Sequence, residues 1–137
     1  MKIAFKKRHN SNPNDCWCDS ISLAIHKPYD EVYKMFTPMM SKDGALNFGY
    51  TIGAICAKNG EYFEFDKSNE RTIRQVITRY NTHDNDAIIS IKGHQFYVSN
   101  NTVYDNVPVE ERELWLSQMV ECICLIEKNE ILKEVNL

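Results

Sequence analysis

Apolar and polar residues follow two spacings along the chain, one typical of helices and one typical of strands. Recurrence of apolar residues every three or four positions predicts helices over residues 15–26, 28–38, 68–80 and 110–120. Alternation predicts strands around Ile3 and Phe5 and over residues 61–65, 94–98 and 102–105. Residues 87–92 are rich in strand-forming residues and are predicted to form a buried strand, and residues 122–127 are predicted to form a final strand, with a continuing helix as the alternative. Residues 38–59 show no pattern that decides between helix and strand. The mixture predicts one α+β domain over residues 1–137.

The first predicted helix opens with a cysteine in its first turn. Asn14 and Asp15 precede Cys16, and either can cap the backbone N–H groups at a helix start. The positive end of the helix dipole favours a thiolate there, and a thiolate is what a nucleophilic cysteine requires. The alternative is a buried structural cysteine, since a thiol also packs as a small apolar group.

The hairpin predicted over residues 94–105 places a histidine beside an aspartate. If the turn is symmetric about Asn100–Asn101, His94 and Asp105 are diagonal neighbours on one face, with Cβ atoms roughly 7 Å apart. A carboxylate on an apolar face is costly unless it is paired, and a histidine partner would form the base and orienting pair of a catalytic triad. Two alternatives stay open. A three-residue loop would turn Asp105 to solvent, and the pair could be structural only.

Four segments of the sequence resemble motifs of a known family. These segments are Asn14–Trp17 with Ser20, Tyr29–Tyr33, Gly93–Val98 and Val103–Asp105. They resemble the papain-like cysteine peptidases, most of all the small single-domain branch met in phage and bacterial genomes. The resemblance implies a papain-like fold in which an N-terminal helix bearing the nucleophile packs on an antiparallel β-sheet. It implies Cys16 as nucleophile, His94 as general base and Asp105 as the residue that orients the base.

The chain departs from that family before the cysteine, where the family has a glutamine that stabilises the oxyanion. No glutamine occurs there. Asn10 is the nearest substitute, with Asn12 and Asn14 as rivals, and the backbone N–H of Cys16 can supply a second donor.

Two further residues complete the candidate site, and two aspartates flank the cysteine. Trp17 and Gly93, which follow the cysteine and precede the histidine, are the expected substrate contacts. Asp15 and Asp19 place negative charge near the thiol, which opposes thiolate formation.

Composition and charge limit the classes of partner that the protein is expected to bind. The chain has 137 residues, 43% of them hydrophobic, and a net charge of -3, which creates no strong field for nucleic acid or a membrane. We interpret the short basic run Lys6–His9 as a solvated lead-in. No apolar run reaches membrane-spanning length, and the N-terminus lacks the apolar core of a signal peptide. We therefore expect a cytoplasmic protein, in the host cytoplasm if it is phage-encoded, that acts on a protein or peptide without a cofactor.

Five cysteines in such a compartment are expected to stay reduced. Two C-x-C pairs, Cys16 with Cys18 and Cys122 with Cys124, offer four thiolates to a zinc ion, although structural zinc sites favour longer spacings. We expect no metal, and we expect Cys18 to pack on the back of the first helix.

The sequence therefore predicts a small cysteine-dependent hydrolase or acyl transferase that acts on an amide or thioester bond. The alternative is a papain-like scaffold that serves as a protein-binding or inhibitory module, such as a phage factor aimed at a host protein. The small size, the two aspartates near the thiol and the missing glutamine favour that alternative.

Overall fold

Helices and a β-sheet combine in an α+β fold, as the sequence predicts. The computed structural model describes residues 2–8, 16–39, 60–64, 71–80 and 82–127. Within these ranges the strands are β1 (Ala4–Lys6), β2 (Gly60–Glu64), β3 (Asn85–Ile91), β4 (His94–Ser99), β5 (Thr102–Tyr104) and β6 (Val120–Glu127). The α-helices are α1 (Cys16–Ile25), α2 (Tyr29–Phe36), α3 (Ile73–Arg79) and α4 (Arg112–Leu116), with 3₁₀ turns at Thr37–Met39 and Val109–Glu111. Every helix in these ranges is too short or too polar to cross a membrane.

The six strands form one sheet in the order β1-β5-β4-β3-β6-β2. All neighbours are antiparallel except β1, which runs parallel to β5 with Ala4 aligned to Thr102. The N–H of Ala4 donates to the carbonyl of Asn101 at 3.0 Å and begins this pairing. The expectation of an antiparallel sheet is therefore wrong at this edge, and the sheet is mixed. A three-residue strand has the same alternation in either direction, so its sequence cannot reveal its orientation.

Helices cover both faces of the sheet. Successive strand residues point to opposite faces, so Tyr97 packs under α1 and α2 whereas Phe96 and Val98 pack under α3 and α4. The first core also contains Trp17, Ile21, Val32, Phe36, Ile88 and Ile126. The second also contains Ile73, Val76, Ile77, Ile89, Val103, Leu116 and Ile123.

Helix α1 is almost completely buried because it packs between β4 on one side and α2 on the other. Trp17 is 1% exposed, and its ring lies 5.8 Å from the ring of Tyr33 and 5.9 Å from that of Phe36. The hydroxyl of Ser20 donates to the carbonyl of Cys16 at 2.8 Å and satisfies a polar side chain inside this contact. The rigid surroundings hold the first turn of α1, and with it Cys16, in place.

The helix predicted over residues 110–120 is shorter than expected. It ends at Leu116, and the chain then turns so that β6 begins at Val120 rather than at 122. Val120 is buried and pairs with Ile91 of β3. Strand pairing and burial of a β-branched side chain therefore outweigh the helical spacing at this point.

Helix α3 begins later than expected. Thr72 caps it by accepting the N–H of Gln75, whose side chain accepts the N–H of Thr72 in return. This capping box satisfies backbone donors at the helix start. The predicted caps at Ser68 and Asn69, and the unassigned stretch 40–59, lie outside the described residues.

The expectation that all cysteines are reduced is wrong for Cys124, which is disulfide-bonded. Cys16, Cys18 and Cys122 are thiols. Cys18 is fully buried, with its thiol 3.4 Å from the carbonyl of Tyr29, which confirms its packing role. The four-thiolate zinc site cannot form while Cys124 is oxidised, because only thiolates are ligands of that kind.

A buried carboxylate on β3 accepts hydrogen bonds from two side chains of β4. Asp86 is 3% exposed and accepts hydrogen bonds from the hydroxyls of Tyr97, at 2.7 Å, and Ser99, at 2.6 Å. Burial raises the pKa of Tyr97, and the bond to Asp86 raises it further, so the phenol stays protonated and keeps donating at neutral pH.

We predict that Tyr97→Phe lowers the free energy of unfolding by about 1–3 kcal/mol, because Asp86 then keeps a buried charge with one donor fewer. Urea denaturation followed by circular dichroism measures the change. Tyr104→Phe is the matched control, since the hydroxyl of Tyr104 makes no hydrogen bond within the described ranges, and we expect a change below about 0.5 kcal/mol. Equal losses in the two variants would contradict this role for Asp86.

Candidate active site

Cys16 is the first residue of α1, where the sequence predicts the start of a helix. Its side chain is largely buried, with 9% of the residue exposed. Burial alone would raise the pKa of the thiol. Hydrogen bonds from the His94 side chain and the Gln95 backbone, together with the charges of His94 and Arg8, outweigh burial and leave the pKa of Cys16 below its usual range. The surroundings of the sulfur therefore favour a thiolate.

His94 owes its place to the tight turn before β4. Ile91 pairs with His94, so only Lys92 and Gly93 connect the two strands. Gly93 has φ +72°, a left-handed conformation that glycine adopts without strain. The turn therefore accounts for a glycine at this position by itself, and substrate contact by Gly93 stays a prediction.

The register of the next hairpin brings His94 to Asp105. Both Asn100 and Asn101 have positive φ, and Val98 pairs with Val103, so the turn has the predicted symmetry. His94 Nε2 lies 2.5 Å from Asp105 Oδ2. The predicted contact is confirmed, and the three-residue loop that would have turned Asp105 to solvent is excluded.

Burial and a backbone hydrogen bond fix the position of the Asp105 carboxylate. It directly follows β5, is 8% exposed, and accepts the backbone N–H of Asn106 on Oδ1 at 2.9 Å. Its other carboxylate oxygen bonds His94 Nε2, which leaves Nδ1 as the ring nitrogen that can bond the sulfur of Cys16. Cysteine, histidine and aspartate therefore form one hydrogen-bonded line.

The charge on His94 depends on both of its neighbours. Burial lowers the pKa of the imidazole, but the hydrogen bonds and negative charges of Asp105 and Cys16 raise it to about 9. At neutral pH the imidazole of His94 is therefore protonated on both nitrogens and positively charged, while the lowered pKa of Cys16 favours the thiolate. The geometry supports a thiolate–imidazolium pair beside a buried carboxylate.

Sequence reasoning missed Arg8. The side chain is 8% exposed, and it lies between two carboxylates, with Nη1 3.7 Å from Asp19 and Nε 3.8 Å from Asp105. The interpretation of Lys6–His9 as a solvated lead-in is therefore wrong at this residue. Asp19 is the residue in the sequence that could have indicated a buried cation. A carboxylate in a helix that otherwise consists of small and apolar residues needs a positive charge nearby.

The remaining predicted site residues fall into two groups. Trp17 packs in the core at 1% exposure, so its side chain offers almost no surface to a substrate. Asn10, Asn12 and Asn14, the candidate oxyanion donors, lie outside the described residues, as does Asp15.

Comparisons with known proteins assign no family to this site, since no family model, curated protein or solved structure matches the chain. In the part of the chain that the structure describes, no three histidine, cysteine or acidic side chains converge as they would around a metal ion. The residues themselves form a site in which a thiol, an imidazole and a carboxylate are hydrogen-bonded in sequence.

We predict that iodoacetamide alkylates Cys16 quickly at pH 7, because a pKa below the ordinary thiol value leaves a reactive thiolate there. In His94→Ala the burial of the sulfur is no longer offset by that imidazole. The pKa of Cys16 then rises, the rate at pH 7 falls by about tenfold or more, and the rise in rate shifts to higher pH. Peptide mass mapping across pH 5–10 measures the rate at each cysteine.

Cys122 provides a matched internal control, since it is also a thiol and its exposure of 8% resembles that of Cys16. A pH profile of Cys16 that coincides with that of Cys122, in both wild type and His94→Ala, would contradict the thiolate–imidazolium pair.

Proposed function

We propose that this protein is a cysteine-dependent hydrolase or acyl transferase that acts on an amide or thioester bond of a protein or peptide. Its catalytic residues are Cys16, His94 and Asp105. The proposal depends chiefly on one observation: the sulfur of Cys16 bonds an imidazole whose other nitrogen is 2.5 Å from a buried carboxylate.

The reaction proceeds in two steps through an acyl-enzyme. The thiolate of Cys16 attacks the carbonyl carbon, and the tetrahedral intermediate collapses as the proton on His94 passes to the departing amine or thiol. His94, now neutral, takes a proton from water or from another acceptor nucleophile, which attacks the thioester and releases Cys16. The final proton transfer restores the imidazolium, so atoms and charges balance over the cycle.

Asp105 keeps the imidazole in the orientation that both steps need. Its bond to Nε2 directs Nδ1 towards the sulfur and stabilises the positive charge that His94 carries. For the oxyanion we propose the backbone N–H of Cys16 as one donor and the side-chain amide of Asn10 or Asn14 as the other.

A papain-like fold is part of this proposal. Helix α1 bears the cysteine at its first residue and packs on β4, whose first residue is the histidine. The aspartate follows the next strand. This order of elements supports the resemblance in the sequence to the papain-like cysteine peptidases of phage and bacterial genomes.

A protein-binding or inhibitory module is the second candidate, and a surface feature favours it. Three large apolar side chains stand out from one short segment: Val109 is 72% exposed, Leu114 77% and Met119 47%. Exposed apolar side chains mark protein interaction sites when they form a continuous patch. In this case the thiol site would be silent and the segment 109–119 would contact the partner.

The cytoplasm, or the host cytoplasm for a phage protein, is the location we propose from the sequence. The disulfide at Cys124 argues against it, since disulfides persist mainly in oxidising compartments.

We predict that the wild-type protein forms an acyl-enzyme on Cys16 when it is incubated with a simple aliphatic acyl thioester, because thioesters are activated and need little binding energy. Intact-mass spectrometry and peptide mapping detect the adduct, and release of the acid follows its hydrolysis. We expect Cys16→Ala and His94→Ala to lower the hydrolysis rate by about 10²-fold or more.

Cys122→Ala is the control for this experiment, since Cys122 lies on β6 with an exposure similar to that of Cys16. It should hydrolyse the thioester at the wild-type rate. Circular dichroism checks that all three variants are folded. Hydrolysis that persists in folded Cys16→Ala or His94→Ala would refute the catalytic assignment and favour the binding module.

A further inference from the structure

Arg8, which follows strand β1, places a buried positive charge beside the thiol site. Strand β1 runs parallel to β5 with Lys6 aligned to Tyr104, so continuing the register places Arg8 level with Asn106. The N–H of Arg8 donates to Asn106 Oδ1 at 3.2 Å, in agreement with that register. The guanidinium of Arg8 lies beside Asp105, with Nε 3.8 Å from Oδ1.

We propose that Arg8 is a positioning residue of the thiol site: its buried guanidinium restrains the Asp105 carboxylate that holds His94 and offsets the charge of Asp19 on the helix that bears Cys16. This role rests on the proposed function for its purpose, although it can be measured on the thiol itself without a substrate.

Three side chains from three elements meet at this point. Arg8 follows β1, Asp19 belongs to α1 and Asp105 follows β5, and their side chains are only 8%, 2% and 9% exposed. At 3.7 and 3.8 Å the contacts are ion pairs. Charges this deeply buried are screened less by water and salt than charges at the surface, so the guanidinium is placed to attract both carboxylates.

Arg8 also acts on the thiol itself. Its positive charge, like that of His94, lowers the pKa of Cys16. Without the guanidinium that charge is lost, and the negative charges of Asp19 and Asp105 lose the cation that lies against them. Both changes disfavour a thiolate.

The test is the pH profile of Cys16 alkylation by iodoacetamide in the full chain. For Arg8→Met, which keeps much of the apolar stem, we expect alkylation at pH 7 to slow by about three- to tenfold as the profile moves to higher pH. In the double variant Arg8→Met with Asp19→Asn, one negative charge is removed with the cation, and most of the rate should return. A rate that stays slow in the folded double variant would contradict the role of charge.

Two further variants separate charge from folding. Lys7→Met removes an exposed cation one residue away, and the wild-type profile should persist. Arg8→Lys keeps the charge, and alkylation at pH 7 should stay within about twofold of wild type even if Arg8→Met fails to fold. A slow rate in folded Arg8→Lys, or an unchanged profile in folded Arg8→Met, would overturn the positioning role.

The same data distinguish the two proposals. If Cys16 of the wild-type protein shows no dependence on His94, the catalytic proposal fails. If Cys16 depends on His94 but not on the charge at Arg8, only the positioning role fails.

Discussion

The two-residue turn at Asn100–Asn101 fixes the register of β4 against β5, and the geometry of the thiol site follows from it. Both asparagines adopt left-handed conformations, which a tight hairpin turn of this kind requires. A shift of one residue would move Asp105 to the other face and leave His94 without its carboxylate. The turn at Gly93 fixes the start of β4 at His94, so two short turns bring His94 and Asp105 together.

Burial makes the charges of this site interdependent. Asp19 and Asp105 lie where an uncompensated carboxylate is strongly unfavourable, and removal of one partner from a buried ion pair typically costs about 3–5 kcal/mol. Arg8 lies between them, and His94 bonds Asp105 on its other side. The aspartate that appears in the sequence to oppose thiolate formation is therefore balanced by a cation, and its presence does not argue against a reactive thiol.

The parts of the site that local pattern determines could be predicted from the sequence. Helix spacing placed Cys16 in the first turn of α1, and strand alternation about a symmetric turn brought His94 to Asp105. The burial of Arg8 could not be predicted in this way, because it depends on the parallel pairing of β1 with β5, a contact between distant parts of the chain. The start of β6 at Val120 could not be predicted for the same reason, since pairing with β3 overrides the local helical spacing.

The charge on His94 tests the thiolate–imidazolium pair most directly, because it depends on Asp105 and Cys16 together. ¹⁵N NMR of the imidazole nitrogens reports it through a titration from pH 5 to 10. We predict that His94 stays protonated through neutral pH and titrates at about 9. Loss of the thiolate in Cys16→Ala should then lower that value. An imidazole in the wild-type protein that is neutral by pH 7.5, and unchanged in Cys16→Ala, would contradict the thiolate–imidazolium pair.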